Sequence, residues 1–162
     1  MTLALRRHLG DHGRMSKQSF PPPEGHHTIT PAFSVPGTRA VIEFLQRAFG
    51  ASIVDLYEGP NGMIAHAEIM IDGSVVMCGD PWPGMDPMPG MFSYYVRDGE
   101  AVDAIYQRAL EAGATTDREP ADQFYGYRSA TVIDMGGNRW SICAVIEQLT
   151  SEQMHARMAE HT

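Results

Sequence analysis

Residues 38–51 read TRAVIEFLQRAFGA, and this stretch decides the fold. Apolar side chains recur in it at helical spacing, at Val41, Ile42, Leu45, Ala48 and Phe49. Thr38 is expected to be the N-cap, and Gly50 suits the left-handed residue that ends many helices. The stretch therefore predicts an amphipathic helix over 38–49 with one buried face.

The same pattern returns 63 residues later, where residues 101–114 read AVDAIYQRALEAGA and Gly113 takes the place of Gly50. A short strand-like run precedes each helix, and three such runs follow it. In the first half these runs are 28–35, then 52–57, 63–71 and 74–78. In the second half they are 91–96, then 114–118, 127–134 and 138–145. The turn pairs Asp72-Gly73 and Gly136-Gly137 join the last two runs of each half. The chain is predicted to contain a βαβββ unit twice.

One such unit leaves a face of its sheet uncovered, and the second copy is the natural cover. We predict an α+β fold in which two βαβββ modules form a curled mixed sheet around a cup-shaped cleft. The single domain is expected to span 28–147, with modules 28–80 and 91–147 and a Pro- and Gly-rich linker 81–90.

The two ends of the chain lie outside this repeat. Residues 1–27 contain three consecutive prolines and scattered charge, so we expect a disordered or extended N-terminal arm with His26 and His27 solvated. Thr150 and Gln153 have the spacing of a capping box, which predicts a C-terminal helix within 148–162.

Composition excludes several functional classes. The net charge is −8 and Lys17 is the only lysine, so the basic stripe of a nucleic-acid-binding protein is missing. No apolar run approaches the ~18 residues of a membrane-spanning helix, and residues 1–14 lack the apolar region of a secretory signal. Cys78 and Cys143 show no CxxC spacing and are expected to be buried small side chains. We predict a cytoplasmic protein whose partner is a small molecule or another protein.

Several segments resemble the vicinal oxygen chelate superfamily, in particular its PhnB-like branch, which is related to glyoxalase I and the bleomycin-resistance proteins. They are TPAFSV (30–35), IEFLQRAFGA (42–51), HAEIMIDGSVVM (66–77), DQFYGYRSATVIDMGGNRWSI (122–142) and IEQLTSEQM (146–154). The resemblance covers residues 28–158 and implies paired modules that form a cup. It also implies a small-molecule ligand and a homodimer. Many members bind a divalent metal in the cup through four side chains, whereas others bind drugs or other ligands without metal.

The resemblance places the four metal-ligand positions at Thr30, Met77, Met91 and Ser141. A catalytic metal centre needs imidazole or carboxylate donors, and these four side chains offer neither. We therefore expect no glyoxalase-type metal and no cofactor.

Strand alternation predicts which side chains enter the cup, and a slip of one residue would reverse each assignment. His66 and Glu68 fall on one face, about 7 Å apart. They are either a general base with an orienting acid, part of an off-centre metal site, or a structural hydrogen-bonded pair. Arg128 either holds an anionic ligand or forms an ion pair with Asp122 or Glu68.

Methionine and aromatic side chains are expected to line the cup, although ordinary core filling explains them equally well. The candidate apolar walls are Met77, Met91, Trp82, Tyr95 and Tyr125, with polar contacts from His66, Glu68, Arg128 and Ser141. The leading hypothesis is a metal-independent small-molecule-binding protein that sequesters or senses a partly apolar ligand. The alternative is a glyoxalase- or dioxygenase-like enzyme (a lyase, isomerase or oxygenase) that uses His66 and Glu68 as metal ligands or as an acid–base pair.

Overall fold

Each half of the chain folds as one helix against a four-stranded sheet in the computed structural model, which describes residues 21–161. The first half contains β1 (Ala32–Ser34), α1 (Thr38–Phe49), β2 (Ser52–Glu58), β3 (Ile64–Ile71) and β4 (Ser74–Gly79), with a 3-10 turn at Pro60–Gly62. Its strand order is β1-β4-β3-β2, with β1 parallel to β4 and the other pairs antiparallel.

The second half has the same plan. It contains β5 (Met91–Tyr95), α2 (Gly99–Glu111), β6 (Thr115–Asp122), β7 (Tyr127–Ile133) and β8 (Arg139–Val145), in the order β5-β8-β7-β6. The C-terminal helix α3 (Ser151–Glu160) begins with the predicted capping box, in which the side chains of Thr150 and Gln153 each accept the other residue's amide. The predicted α+β class and the duplicated βαβββ unit are confirmed.

The two sheets do not merge into one continuous curled sheet. Strand β1 has only three residues, and the linker occupies its free edge through reciprocal backbone hydrogen bonds between Ser34 and Met88. The predicted first strand over 28–35 is therefore too long, because the chain bends at residues 28–29 and the strand begins only at Ala32. Of the predicted N-terminal arm, residues 1–20 lie outside the described residues.

Aromatic side chains join the two halves through one shared core. The ring of Phe49, at the end of α1, lies 5.1 Å from both Tyr94 of β5 and Trp140 of β8, measured between ring centroids. Arg47 Nη2 donates to the Glu111 carbonyl at 2.9 Å, and Arg108 Nε donates to the Ala48 carbonyl at 3.1 Å. The C-termini of α1 and α2 are thus tied together beside the aromatic contacts of Phe49.

The N-cap of helix α1 lies one residue earlier than predicted. Gly37, with φ 76°, takes the cap position, and Thr38 is the first helical residue. The amide of Thr38 donates to Asp80 Oδ1 at 3.0 Å, while Asp80 Oδ2 accepts the Ile64 amide at 2.7 Å. The carboxylate of Asp80, which is distant in sequence, therefore accepts a hydrogen bond from an amide at the N-terminus of α1, where a side chain of the cap residue would otherwise do so.

Asp134 holds together the turn between β7 and β8. Its carboxylate is buried and accepts the Gly136 amide, the Asn138 amide and side chain, and Trp140 Nε1 at 2.9–3.2 Å. Asn138 Oδ1 in turn accepts the Gly90 amide at 2.8 Å. Asn138 is therefore a turn residue, as the sequence indicates, and it also fixes the start of β5.

We expect Asp134→Ala to lower the free energy of unfolding by about 3 kcal/mol, because it leaves several buried donors without an acceptor. Urea denaturation followed by tryptophan fluorescence measures this loss. Asp86→Ala, at an exposed carboxylate of the linker, is the control and is expected to change stability by less than about 0.5 kcal/mol. Equal effects of the two substitutions would contradict a structural role for the Asp134 network.

Candidate functional site

The predicted alternation of faces is confirmed in both sheets. Ala67 and Ile69 of β3 are buried under the helix layer, so His66 and Glu68 lie on the opposite, concave face. In β8 the side chain of Trp140 enters the core, which leaves Ser141 on the concave face. In β5, Met91, Ser93 and Tyr95 are exposed while Phe92 and Tyr94 pack on the core.

A polar cluster covers the concave face of the first sheet. His66 Nε2 lies 3.5 Å from Glu68 Oε1. The register of β2 with β3 places Tyr57 opposite His66 and Asp55 opposite Glu68. The Tyr57 hydroxyl donates to Asp55 Oδ2 at 2.6 Å, and this hydrogen bond raises the pKa of Tyr57. Sequence analysis missed Asp55 and Tyr57, although pairing β2 with β3 across their short connection would have found them.

The N-terminal arm also reaches this cluster. His26 Nε2 lies 3.4 Å from Glu68 Oε1, and the His26 side chain is only 10% exposed. The Gly25 carbonyl accepts the Val75 amide at 3.1 Å, so the arm is fixed to β4. The expectation of a solvated His26 is therefore wrong, since backbone pairing with β4 carries this residue over the sheet. His27 is exposed, as expected.

A cavity of about 210 Å³ on the first half brings three predicted site residues together. His66, Met77 and Trp82 line it, with Ala65, Phe33 and Asp80 among the other lining residues. We call it the first-sheet pocket. It places one imidazole beside a thioether and an indole, which suits a small group with both a polar and an apolar part.

A larger cavity of about 530 Å³ lies along β5, and we call it the β5 cleft. Two predicted ligand-binding residues, Met91 and Tyr95, line it. The rest of its wall is mainly aromatic and aliphatic and includes Phe92, Tyr94, Trp140 and Val76. Other lining residues belong to the β3–β4 turn and to the N-terminal arm, so both halves of the chain contribute to the cleft.

The predicted ligand-binding residues are thus divided among three cavities, because Arg128 lines a third one of about 490 Å³ between acidic side chains of α2 and β6, and Tyr125 and Ser141 line none of them. Tyr125 contacts Tyr127, whose ring centroid lies 6.1 Å from that of Tyr95, so an aromatic row runs from the β5 cleft to Tyr125. Ser141 Oγ lies 3.2 Å from Thr131 Oγ1. The two hydroxyls satisfy one another across β7 and β8.

Arg128 lies on the opposite face of the sheet from the cup. It shares its alternation with Ala130, which is buried in the helix-side core. Its guanidinium donates to both Asp103 carboxylate oxygens at 2.9 and 3.0 Å and to Asp122 Oδ1 at 2.8 Å. These hydrogen bonds raise the pKa of Arg128. Sequence analysis left open whether Arg128 holds an anionic ligand or forms an ion pair with Asp122 or Glu68. The structure contains the ion pair with Asp122, so Arg128 does not contribute to the cup.

The residues at the four metal-ligand positions do not fit the metal that the resemblance implies. Thr30 and Met77 belong to the first half and Met91 and Ser141 to the second. The Thr30 hydroxyl donates to the His27 carbonyl at 3.1 Å. Two hydroxyls and two thioethers lack the donor strength of a catalytic divalent site. Among residues 21–161, no three His, Cys, Asp or Glu side chains are arranged to hold a metal ion.

Both cysteines are buried, as expected. Burial, with a smaller contribution from Asp80, raises the pKa of Cys78 to about 12. Burial also raises the pKa of Cys143. Because the thiolate is the nucleophilic form, neither side chain is activated for chemistry at neutral pH.

Substitution of Gly25 tests whether the arm rests on the first sheet. A Cβ at Gly25 would lie 2.5 Å from Met70 Cε and 2.9 Å from Val75 Cγ2, so we expect Gly25→Ala to lift the arm. The measurement is amide hydrogen exchange at Val75, which should accelerate severalfold when its hydrogen bond to Gly25 is lost.

Gly37→Ala is the matched control for this experiment. Gly37 has φ +76° against +77° at Gly25, but nothing lies within 4 Å of its Cβ position. Both variants carry the strain of a left-handed alanine, about 1 kcal/mol, and only Gly25→Ala adds the steric clash. Unchanged exchange at Val75 in Gly25→Ala would show that the arm does not protect β4.

Comparisons with known proteins extend these observations. The model of the Glyoxalase/Bleomycin resistance protein/Dioxygenase superfamily matches residues 25–142. The uncharacterized protein Mb0911c of Mycobacterium bovis is 32% identical over 142 residues, which cover 81% of this chain and 91% of that protein.

Two solved structures are similar to this chain. TioX from Micromonospora sp. ML1 superposes with a TM-score of 0.56 at 26% identity, covering 72% of this chain and 95% of TioX. The fosfomycin resistance protein FosX from Listeria monocytogenes gives a TM-score of 0.60 at 15% identity, covering 78% of this chain and 96% of FosX, which is a likeness of fold alone.

No helix within residues 21–161 is long and apolar enough to cross a membrane. Placement in the PhnB-like branch stays a prediction. The family model and the mycobacterial relative together show that the chain belongs to the glyoxalase/bleomycin resistance protein/dioxygenase superfamily.

Proposed function

We propose that this protein binds a small, partly apolar molecule in the β5 cleft without a glyoxalase-type metal, and that it sequesters or senses this ligand. The β5 cleft is the observation that carries the proposal. Its volume of about 530 Å³ lies within the range of small-molecule sites, roughly 300–1,000 Å³. The first-sheet pocket, at about 210 Å³, is below that range.

The exposed side chains of β5 support the same site. Met91 is 80% and Tyr95 60% exposed, and both lie on a strand that pairs on one side only, with β8. Large apolar side chains that stay in water around a concave surface mark binding sites more often than scattered single residues do. Methionine adapts to ligands of different shape, and tyrosine supplies a flat face with a polar end.

The binding site is tested with N-phenyl-1-naphthylamine, a neutral apolar probe whose fluorescence rises in a dry environment. We expect Tyr95→Ala and Met91→Ala each to weaken its binding about threefold to tenfold, because each removes part of an apolar wall. Fluorescence titration gives the dissociation constants.

Two variants outside the cleft are matched controls. Tyr57→Ala removes a tyrosine of similar exposure, 57%, from the other sheet, and Met85→Ala removes an exposed linker methionine. Both are expected to leave probe affinity within twofold of the unmodified protein. Equal losses in all four variants, or no probe binding at all, would rule out the cleft as the site.

The contact between His66 and Glu68 favours a second candidate function, an enzyme of the glyoxalase or dioxygenase type. An imidazole 3.5 Å from a carboxylate is within reach of an oriented general base, and His26 approaches the same carboxylate oxygen from the arm. The pair acts in this candidate either as an acid–base dyad without metal or as ligands of an off-centre ion. His66 and Glu68, with His26 of the arm as a third donor, form a weak set of ligands for a catalytic metal ion.

Metal uptake separates the two candidates. We expect native mass spectrometry of protein purified without chelator or affinity metal to show no stoichiometric divalent ion, even after dialysis against Mn²⁺ or Zn²⁺. One ion per chain that disappears in His66→Ala but persists in His155→Ala, an exposed histidine of α3, would support the enzyme and contradict the leading proposal.

The same spectra count subunits and weigh any retained organic ligand. A homodimer and a location in the cytoplasm stay predictions. The free side of β5 and the exposed apolar side chains on it support self-association, because an unpaired strand edge readily meets another chain.

A further inference from the structure

We propose that the β5 cleft selects aromatic or apolar organic cations, such as quaternary or protonated amines, with Asp72 as the counter-charge. The inference rests on the proposed function, since it names the ligand class of the same cleft. Among the lining residues in the described part of the chain, residues 21–161, Asp72 is the only carboxylate and none is a lysine or an arginine.

The geometry of the β3–β4 turn holds the Asp72 carboxylate at the cleft. Asp72 has a left-handed backbone with φ +42°, one of two such non-glycine residues in the described part of the chain. The Tyr94 hydroxyl donates to Asp72 Oδ2, so a residue of β5 orients the carboxylate from across the cleft. Burial and this hydrogen bond raise the pKa of Tyr94 to about 12, so the phenol remains a neutral donor at physiological pH.

The second carboxylate oxygen has no such partner. Within residues 21–161, Tyr94 is the only side chain that bonds the Asp72 carboxylate, and no ion pair includes it. Several other acidic side chains pair with arginine, as Asp103 and Asp122 do with Arg128. Asp72 is exposed at the mouth of the cleft and has no ion-pair partner among the described residues, so it presents a negative charge beside an apolar wall.

The wall itself favours a cation. Four aromatic side chains line the cleft, namely Phe92, Tyr94, Tyr95 and Trp140. Trp140 is buried and stacks on Phe92, so exposed Tyr95 offers the most accessible ring. The face of an aromatic ring attracts a cation within about 6 Å and repels an anion. Among residues 21–161, the lining of the cleft contains no lysine or arginine that would offset the repulsion between Asp72 and an anionic ligand, and Arg139, opposite Met91, is engaged by Asp117. The net charge of −8 adds a long-range attraction for cations.

Three probes of the same shape and different charge test this selectivity. They are (2-naphthylmethyl)trimethylammonium, the neutral 2-neopentylnaphthalene and the anionic 2-naphthylacetate, each used to displace N-phenyl-1-naphthylamine. We expect the cation to displace it at about a tenfold lower concentration than the neutral compound, and the anion to be the weakest. This preference should shrink at high salt.

Asp72→Asn isolates the carboxylate from the shape of the turn. Asparagine tolerates the left-handed backbone and its carbonyl still accepts the Tyr94 hydroxyl. We expect this variant to bind the cation about fivefold to tenfold more weakly and the neutral compounds within twofold of the unmodified protein. Asp86→Asn, at an exposed linker carboxylate outside the cleft lining, changes the net charge equally and should have little effect.

The outcomes separate the two proposals. If the neutral probe binds and responds to Tyr95→Ala but the cation gains nothing, the cleft is a site and the cation selectivity is wrong. An equal loss in Asp72→Asn and Asp86→Asn would likewise assign the preference to net charge and overturn a role for Asp72. If none of the compounds binds by direct calorimetry, the proposed function fails, and the ligand class fails with it.

Discussion

The packing of Phe49 between Tyr94 and Trp140 is the contact on which the rest of the structure depends. It lies where the C-termini of α1 and α2 meet, and it joins two halves whose sheets share no strand pairing. This joint holds β5 through the core-facing side of the strand, and Met91 and Tyr95 on its other side are exposed in the described part of the chain. The β5 cleft lies along this strand. Tyr94 serves both purposes, since its ring contacts Phe49 while its hydroxyl reaches Asp72 of the other half.

The two concave faces differ in chemistry although they arise from the same repeated unit. The first sheet carries a carboxylate between two imidazoles, where His26 and His66 both approach Glu68. The second sheet carries neutral hydroxyls and an aromatic row that begins at Tyr95. In the second half, Arg128 lies on the helix side and bridges α2 and β6, whereas Arg139, opposite Met91 across β5 and β8, is paired with Asp117. The lining of the β5 cleft is mostly apolar and includes Asp72 and His27, while His66 and Glu68 do not line it.

The arm changes what the first sheet can offer a ligand. Gly25 packs so closely on Met70 and Val75 that no larger residue fits without a shift, and His26 covers part of Glu68. The polar cluster is therefore partly shielded, whereas Met91 and Tyr95 are open to water. This difference in access, together with the difference in volume, is why the binding proposal is assigned to β5 rather than to the His66–Glu68 pair.

Local pattern determined much of this protein. Helical spacing, the positions of Gly50 and Gly113, and period-two alternation predict the elements, their duplication and the faces of His66, Tyr95 and Ser141, because each depends only on neighbours along the chain. The same alternation would have placed Arg128 on the helix side with Ala130, had it been extended through β7.

Only the tertiary structure decided which residues distant in sequence contact one another. The hydrogen bond from Thr38 to Asp80 and the approach of His26 to Glu68 join residues tens of positions apart. The distribution of the predicted cup residues over separate cavities likewise depends on contacts between distant parts of the chain. Such contacts depend on strand register and on which helix ends pack together, and neither is encoded in a local period.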